Sequence, residues 1–111
     1  MNEYELKYSN LISNLKILFK KIDAVYLYFL NEDKYIKQIP LQHKKLSGLR
    51  TLVERASNKS LNFEKLKPGE IKAELNDIEI LLKDSKKILS EIIIEIEKIT
   101  GKKIKFRSEI K

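Results

Sequence analysis

The single histidine, His43, is the first residue that could carry chemistry, because an exposed His on a helical bundle can act as a phosphoryl-accepting nucleophile. Phosphotransfer modules place a Lys and a Gly three and four residues after this His, or an acidic residue directly after it. This chain has Leu46 and Ser47 at the two later positions and Lys44 directly after the His. We therefore interpret His43 as an ordinary exposed side chain.

Acidic residues in the last long helical segment are the second candidate, since pairs three or four residues apart could share a metal ion or a proton. They are Glu70, Glu74, Asp77, Glu91 and Glu95. A helical carboxylate site needs a Glu-x-x-His motif or facing acids from several helices. The chain has no Cys and one His, so thiolate sites and histidine clusters are excluded. We predict no catalytic residue, no metal, no cofactor and no enzymatic activity.

Composition indicates one helical domain. The chain has 111 residues, of which 42% are hydrophobic and 35% charged, with only three Gly and two Pro. Such a chain is too apolar to be disordered and too poor in turn-forming residues for a β-sandwich. We therefore expect an all-α fold.

Apolar residues recur with alternating steps of four and three in two long segments, which is the heptad pattern of a coiled coil. In the first segment they are Tyr4, Tyr8, Leu11, Leu15, Leu18, Ile22, Val25 and Phe29, and in the last Ile71, Leu75, Ile78, Leu82, Leu89, Ile92, Ile96 and Ile99, with Ser85 between them. Pro40 ends the first pattern, Pro68 begins the last, and Gly101 ends it.

These patterns predict an elongated helical bundle with two long heptad-patterned helices and one short helix between them. We expect helices at about 3–38, 41–57 and 68–100, with a possible break near Asn31. Residues 1–100 then form the bundle, and residues 101–111 form a basic tail.

The first helix is apolar on nearly every side between Ile22 and Leu30, so other helices must cover it. Either the chain folds back near Asn31 into a four-helix bundle, or it forms a homodimer, which we favour. We predict a non-enzymatic protein that binds another protein through helix-helix contacts, as an adaptor, inhibitor or assembly factor. The expected contact residues are Leu27, Tyr28, Leu30, Ile80 and Ile94.

The alternative is a nucleic-acid-binding module, because the net charge of +7 is concentrated in two segments. Residues 34–67 hold nine basic and two acidic residues, and residues 101–111 hold five and one. In an up-down-up bundle these segments approach each other. The candidate contacts are Lys34, Lys37, Lys44, Lys45, Arg50, Lys102, Lys103, Lys105 and Arg107.

Apolar runs in the sequence are too short for a membrane span, the longest being the seven residues from Ala24 to Leu30. The first residues are acidic and lack the pattern of a secretion signal. We therefore expect a cytoplasmic protein that has no membrane partner.

Overall fold

A computed structural model describes residues 3–30, 37–101 and 103 of the chain. In these ranges the secondary structure consists of α1 (Glu3–Leu30), α2 (Pro40–Ser57) and α3 (Pro68–Thr100). They contain 28, 18 and 33 residues and form a body of 51 × 26 × 19 Å. The predicted fold class, an elongated all-α bundle with a short helix between two long ones, is confirmed.

The segment before α2 differs from the prediction. Lys37 and Gln38 form a turn, so the expected end of the first helix at about residue 38 is wrong. Ile39 has φ −127° and ψ 46°, outside the helical region, because Pro40 restricts the residue that precedes it. The break expected near Asn31 lies outside the described residues.

The core consists of one stripe of apolar side chains from each helix. In α1 and α3 these stripes follow the heptad positions, since Leu15, Ile22 and Ile96 have no exposed surface. Leu46, Leu49 and Val53 supply the stripe of α2. Ser85 is the polar member of the α3 stripe and is 1% exposed.

Side-chain pairs between helices show an up-down-up arrangement. Lys7, near the start of α1, lies 3.3 Å from Glu79, in the first half of α3. This pairing is the one that parallel helices require. Arg50 of α2 lies 2.6 Å from Asp23, in the second half of α1, and the residues after α2 reach back to the start of α1. The helix α2 is therefore antiparallel to both of its neighbours.

The connector 58–67 covers the part of the bundle that α2 is too short to reach. At about 1.5 Å per residue α2 is roughly 27 Å long, whereas α3 is roughly 50 Å long. Phe63 and Leu66 are half-buried against the core. The Phe63 ring packs edge-on against Tyr8, with ring centres 5.5 Å apart, and the Tyr8 hydroxyl donates to the carbonyl of Lys59.

Both ends of α3 have the local structure that their sequence predicts. Pro68 is the first helical residue, and the Glu70 carboxylate accepts a hydrogen bond from the backbone N–H of Lys67 at 3.1 Å. At the other end Gly101 adopts the left-handed conformation, with φ 72°, and its N–H donates to the carbonyl of Glu97. None of the described helices has a stretch long and apolar enough to cross a membrane.

Candidate protein-interaction surface

The predicted contact residues are exposed but do not form one patch. Leu27 and Tyr28 in α1 are 43% and 38% exposed, and Ile80 and Ile94 in α3 are 49% and 51% exposed. Ile80 follows Glu79, which contacts Lys7. Leu27 is twenty residues further along α1 than Lys7, which corresponds to about 30 Å at the helical rise. The side chain of Leu30 lies outside the described residues.

A different surface brings exposed apolar side chains together, between α2 and α3. The amide of Gln42 donates to Glu95 at 3.1 Å, and Lys45 lies 3.5 Å from the same carboxylate. Lys59, just after α2, contacts Glu74 at 2.7 Å. These contacts show that α2 and α3 lie side by side in opposite directions along the whole of α2.

Heptad spacing places further residues on the same side of each helix as Lys45 and Glu95. In α2 they are Leu41, Lys45, Gly48, Leu52 and Arg55, and in α3 they are Asp77, Leu81, Asp84, Ile88, Glu91, Glu95 and Lys98, with Ile99 next to Lys98 at the end of the helix. We call this surface the α2–α3 face. Its apolar members Leu41, Leu52, Ile88 and Ile99 are 57%, 45%, 41% and 46% exposed.

Sequence reasoning missed this face because it placed the contact surface on the two long helices and assigned no exposed apolar residues of α2 to it. The signal was available in the sequence. Leu41 and Leu52 are eleven residues apart in α2, and Ile88 and Ile99 are eleven residues apart in α3. That spacing places each pair on one side of its helix, because eleven residues make almost three turns.

Charged side chains line both outer edges of the α2–α3 face. Lys44 and Arg55 lie along the outer edge of α2, while Asp84 and Glu91 lie along the outer edge of α3. None of these four has an ion-pair partner in the part of the chain that the structure describes. The α2 edge is therefore basic, whereas the α3 edge carries both signs of charge, because Lys87 and Lys98 are exposed beside these carboxylates.

The contact between α1 and α2 contains a cluster of polar and aromatic side chains around Arg50. The Arg50 guanidinium lies 2.6 Å from Asp23, 5.3 Å from the centre of the Phe19 ring and 5.4 Å from that of Tyr26. The hydrogen bond to Asp23 raises the pKa of Arg50 above its ordinary value. Arg50 therefore joins two helices and does not extend into solvent as a free cation.

His43 belongs to the same cluster and is not the exposed side chain that we expected. Its ring stacks on Tyr26, with centres 4.6 Å apart and planes 17° apart. Its Nε2 atom is buried and has no hydrogen-bond partner among the described residues. A nitrogen covered in this way has no open approach for a phosphoryl group. The sequence did not indicate this burial because the stack depends on the position of α1.

The predicted nucleic-acid contacts separate into three sets. Arg50 and Lys45 contact the carboxylates of Asp23 and Glu95. Lys37, Lys44 and Lys103 are exposed at the end of the bundle where α2 begins and α3 ends. The remaining four lie outside the described residues: Lys34, Lys102, Lys105 and Arg107.

Metal ligands do not cluster in the described ranges, where no group of three or more His, Asp or Glu side chains could hold an ion. Comparison of the chain with protein-family models, with curated proteins and with solved structures finds no match. The exposed surface is therefore the feature of the molecule that bears on its function.

Proposed function

We propose that this chain is a non-enzymatic helical protein that acts by binding protein through helix-helix contacts, as an adaptor, inhibitor or assembly factor. The α2–α3 face carries the proposal. It presents four large apolar side chains on one side of a fold whose core is already filled by other residues. An exposed apolar surface bordered by charge is typical of a protein-binding site.

The α2–α3 face also has the shape of a helix-binding surface. Two antiparallel helices leave a groove between them, and a Cβ atom built on Gly48 of α2 would meet no atom within 4 Å. A groove between helices can accept a third helix, whose side chains pack between the two rows. Leu41 and Leu52 stand on one side of it, and Ile88 and Ile99 stand on the other.

A photo-crosslinking side chain at position 52 tests the proposal. Benzoylphenylalanine replaces Leu52 on the face or, as the control, Ile17 on α1, which is 39% exposed. Irradiation of cells that express each variant should give defined protein adducts from position 52 and not from position 17. Ile88→Glu on the face should abolish these adducts, whereas Leu6→Glu on α1 should leave them intact. Equal adducts at both positions, or adducts that survive Ile88→Glu, would contradict the proposal.

The second candidate function is nucleic-acid binding by the basic end of the bundle. It is favoured by the position of Lys37, Lys44 and Lys103, which share that end and have no ion pair in the described ranges. Phosphate contacts of this kind release counterions, so affinity would fall steeply with salt. Binding of labelled single-stranded DNA and duplex DNA at low and high salt tests it, with Lys37→Gln/Lys44→Gln as the variant. Affinity that does not change with salt would exclude it.

A further inference from the structure

The side of the bundle between α1 and α3 forms a second exposed surface. A cavity of about 400 Å³ opens on it near the starts of the two helices. All of its lining residues belong to these helices: Glu3, Tyr4, Lys7, Lys72, Leu75 and Asn76. Steps of seven residues from this cavity stay on the same side of each helix. They reach Ile17, Lys21 and Tyr28 in α1 and Glu79, Lys83, Lys86 and Glu97 in α3. We call this surface the α1–α3 face.

Unpaired charge on the α1–α3 face is mainly positive. Four of its lysines have no ion-pair partner within the described ranges: Lys21, Lys72, Lys83 and Lys86. The carboxylate of Glu79 lies 3.3 Å from Lys7, and the half-buried Glu97 has an interaction of its own. Glu3 lies at one end of the face, beside the cavity. The α1–α3 face thus differs from the α2–α3 face, whose α3 edge carries both signs of charge.

Exposed apolar side chains lie among these lysines: Ile17, Tyr28 and Ile94. The last of them is on the face because it follows Asn76 by eighteen residues, which is five full turns. Counting along the two parallel helices from their ion pair at 3.3 Å brings Ile17 close to the level of Lys86. In the same way, Lys21 is close to the level of Ile94. Lysine and apolar side chains are therefore mixed over one surface and do not form separate patches.

This mixture matches the chemistry of a membrane surface. Lysine ammonium groups bind the phosphates of anionic headgroups, and Ile side chains enter the apolar layer beneath them. Tyr suits the boundary between the two layers, because its ring is apolar and its hydroxyl is polar. From this combination we infer that the α1–α3 face binds the surface of an anionic phospholipid bilayer. The inference goes beyond the proposed function, and it revises the expectation of no membrane partner, which considered only segments that cross a bilayer.

A nucleic acid would offer the phosphates of this ligand but not its apolar layer. Lysines suit either ligand, whereas Ile17 and Ile94 gain from leaving water only where an apolar layer receives them. The shape of the protein also fits a flat ligand. A body of 51 × 26 × 19 Å that lies with its long axis in the plane of the bilayer presents the whole face at once.

Sedimentation with lipid vesicles tests the inference on the full chain. The probes are vesicles of phosphatidylcholine alone and vesicles that also contain the anionic lipid phosphatidylglycerol. We expect binding to the anionic vesicles, little binding to the neutral ones, and loss of binding at high salt, because salt screens exposed charges. Lys72→Gln/Lys83→Gln/Lys86→Gln should weaken binding to the anionic vesicles by about 100-fold, at roughly fivefold for each lysine.

A second triple variant with the same change in net charge is the control. Lys44→Gln/Arg55→Gln/Lys65→Gln removes three exposed cations of α2 and the connector, outside the α1–α3 face. It should bind the anionic vesicles within about twofold of the wild type, since charges held beyond the Debye length of about 10 Å contribute little. Circular dichroism checks the helix content of both variants, in which all six substituted positions are exposed.

An introduced tryptophan tests the apolar part of the inference. The chain has no Trp, so a single introduced residue is the only source of Trp fluorescence. Ile17→Trp, on the α1–α3 face, should shift its emission to shorter wavelength on anionic vesicles, because the indole enters the boundary of the apolar layer. Leu52→Trp, at an exposed position of the α2–α3 face, is the matched control and should keep its emission unchanged.

Any of four results would overturn the inference: no binding to anionic vesicles, equal binding to neutral and anionic vesicles, equal losses in the two triple variants, or an emission that does not shift at position 17 in the bound protein. Binding of duplex DNA in place of vesicles, lost in Lys72→Gln/Lys83→Gln/Lys86→Gln, would assign the face to nucleic acid. These results leave the proposed function intact, because protein adducts from position 52 test a different face.

Discussion

Replacing Ser85 by Ala should stabilise the protein, although it removes a polar group from the heptad stripe. The side chain is 1% exposed, and its hydroxyl has no hydrogen-bond partner among the described residues. Burial of an unpaired hydroxyl costs about 1–3 kcal/mol. Ala is also the better helix former, by about 0.5 kcal/mol. The small void left by the oxygen costs only a few tenths of a kcal/mol.

The net gain in the free energy of unfolding is therefore about 1–3 kcal/mol. For a chain of this size each kcal/mol raises the melting temperature by about 4 °C, so we expect an increase of roughly 4–12 °C. Thermal and urea unfolding followed by far-ultraviolet circular dichroism measures both quantities. The measurements belong at low protein concentration, where self-association contributes little.

Ser90→Ala is the matched control, since Ser90 is an exposed residue of the same helix. It should show the propensity gain alone, about 0.5 kcal/mol. The difference between the two variants then isolates the buried hydroxyl. Equal shifts for both variants, or a lower melting temperature for Ser85→Ala, would refute the claim that this hydroxyl is buried without a partner.

Three further predictions use the same unfolding assays or a titration. Leu15→Ala should lower the free energy of unfolding by about 2–5 kcal/mol, because Leu15 has no exposed surface. Leu27→Ala, at a position that is 43% exposed, should lower it by less than about 1 kcal/mol. Similar losses in the two variants would contradict the assignment of Leu15 to the core. Gly48→Ala should raise stability by about 1 kcal/mol, since the added methyl meets nothing within 4 Å, and a loss would show a hidden contact. The pKa of Glu95 lies below its ordinary 4.5, first because Gln42 donates to its carboxylate and then because of Lys45. This carboxylate therefore contributes stability above pH 4.5 that is lost as the pH falls through the lowered pKa. Gln42→Leu should raise the pKa of Glu95 in an NMR titration, and an unchanged titration would contradict the assignment.

Local sequence signals predicted most of the fold because they act within one helix. The heptad stripes fixed the buried sides of α1 and α3, Pro68 and Gly101 marked the ends of α3, and Pro40 explained why Ile39 leaves the helical region. The end of α1 was not predictable in this way. The sequence has no Gly or Pro between Leu30 and Pro40, so periodicity alone extended the predicted helix over Lys37 and Gln38, which form a turn.

The interaction surface was harder to predict because it depends on which helices are neighbours. Leu52 and Ile88 are 36 positions apart, and only the antiparallel packing of α2 on α3 brings them to one face. Arg50 was assigned to an anionic ligand for the same reason, although it lies against Asp23. Charge counts along the chain do not reveal which cations the fold has already neutralised.

The connector 58–67 packs on the start of α1, at the end of the bundle where α2 ends and α3 begins. Phe63 packs against Tyr8, and the carbonyl of Lys59 accepts the Tyr8 hydroxyl, so the connector cannot leave the surface without exposing the first turns of α1. A protease needs an extended segment that is detached from the fold, and the backbone of the connector does not provide one while these contacts are in place. Cleavage of the connector requires a local opening that includes both the connector and the start of α1. The cleavage rate therefore reports the free energy of this cooperative opening. Because α2 is short, the bundle has a structured connector. This connector opens and the start of α1 frays in a single event.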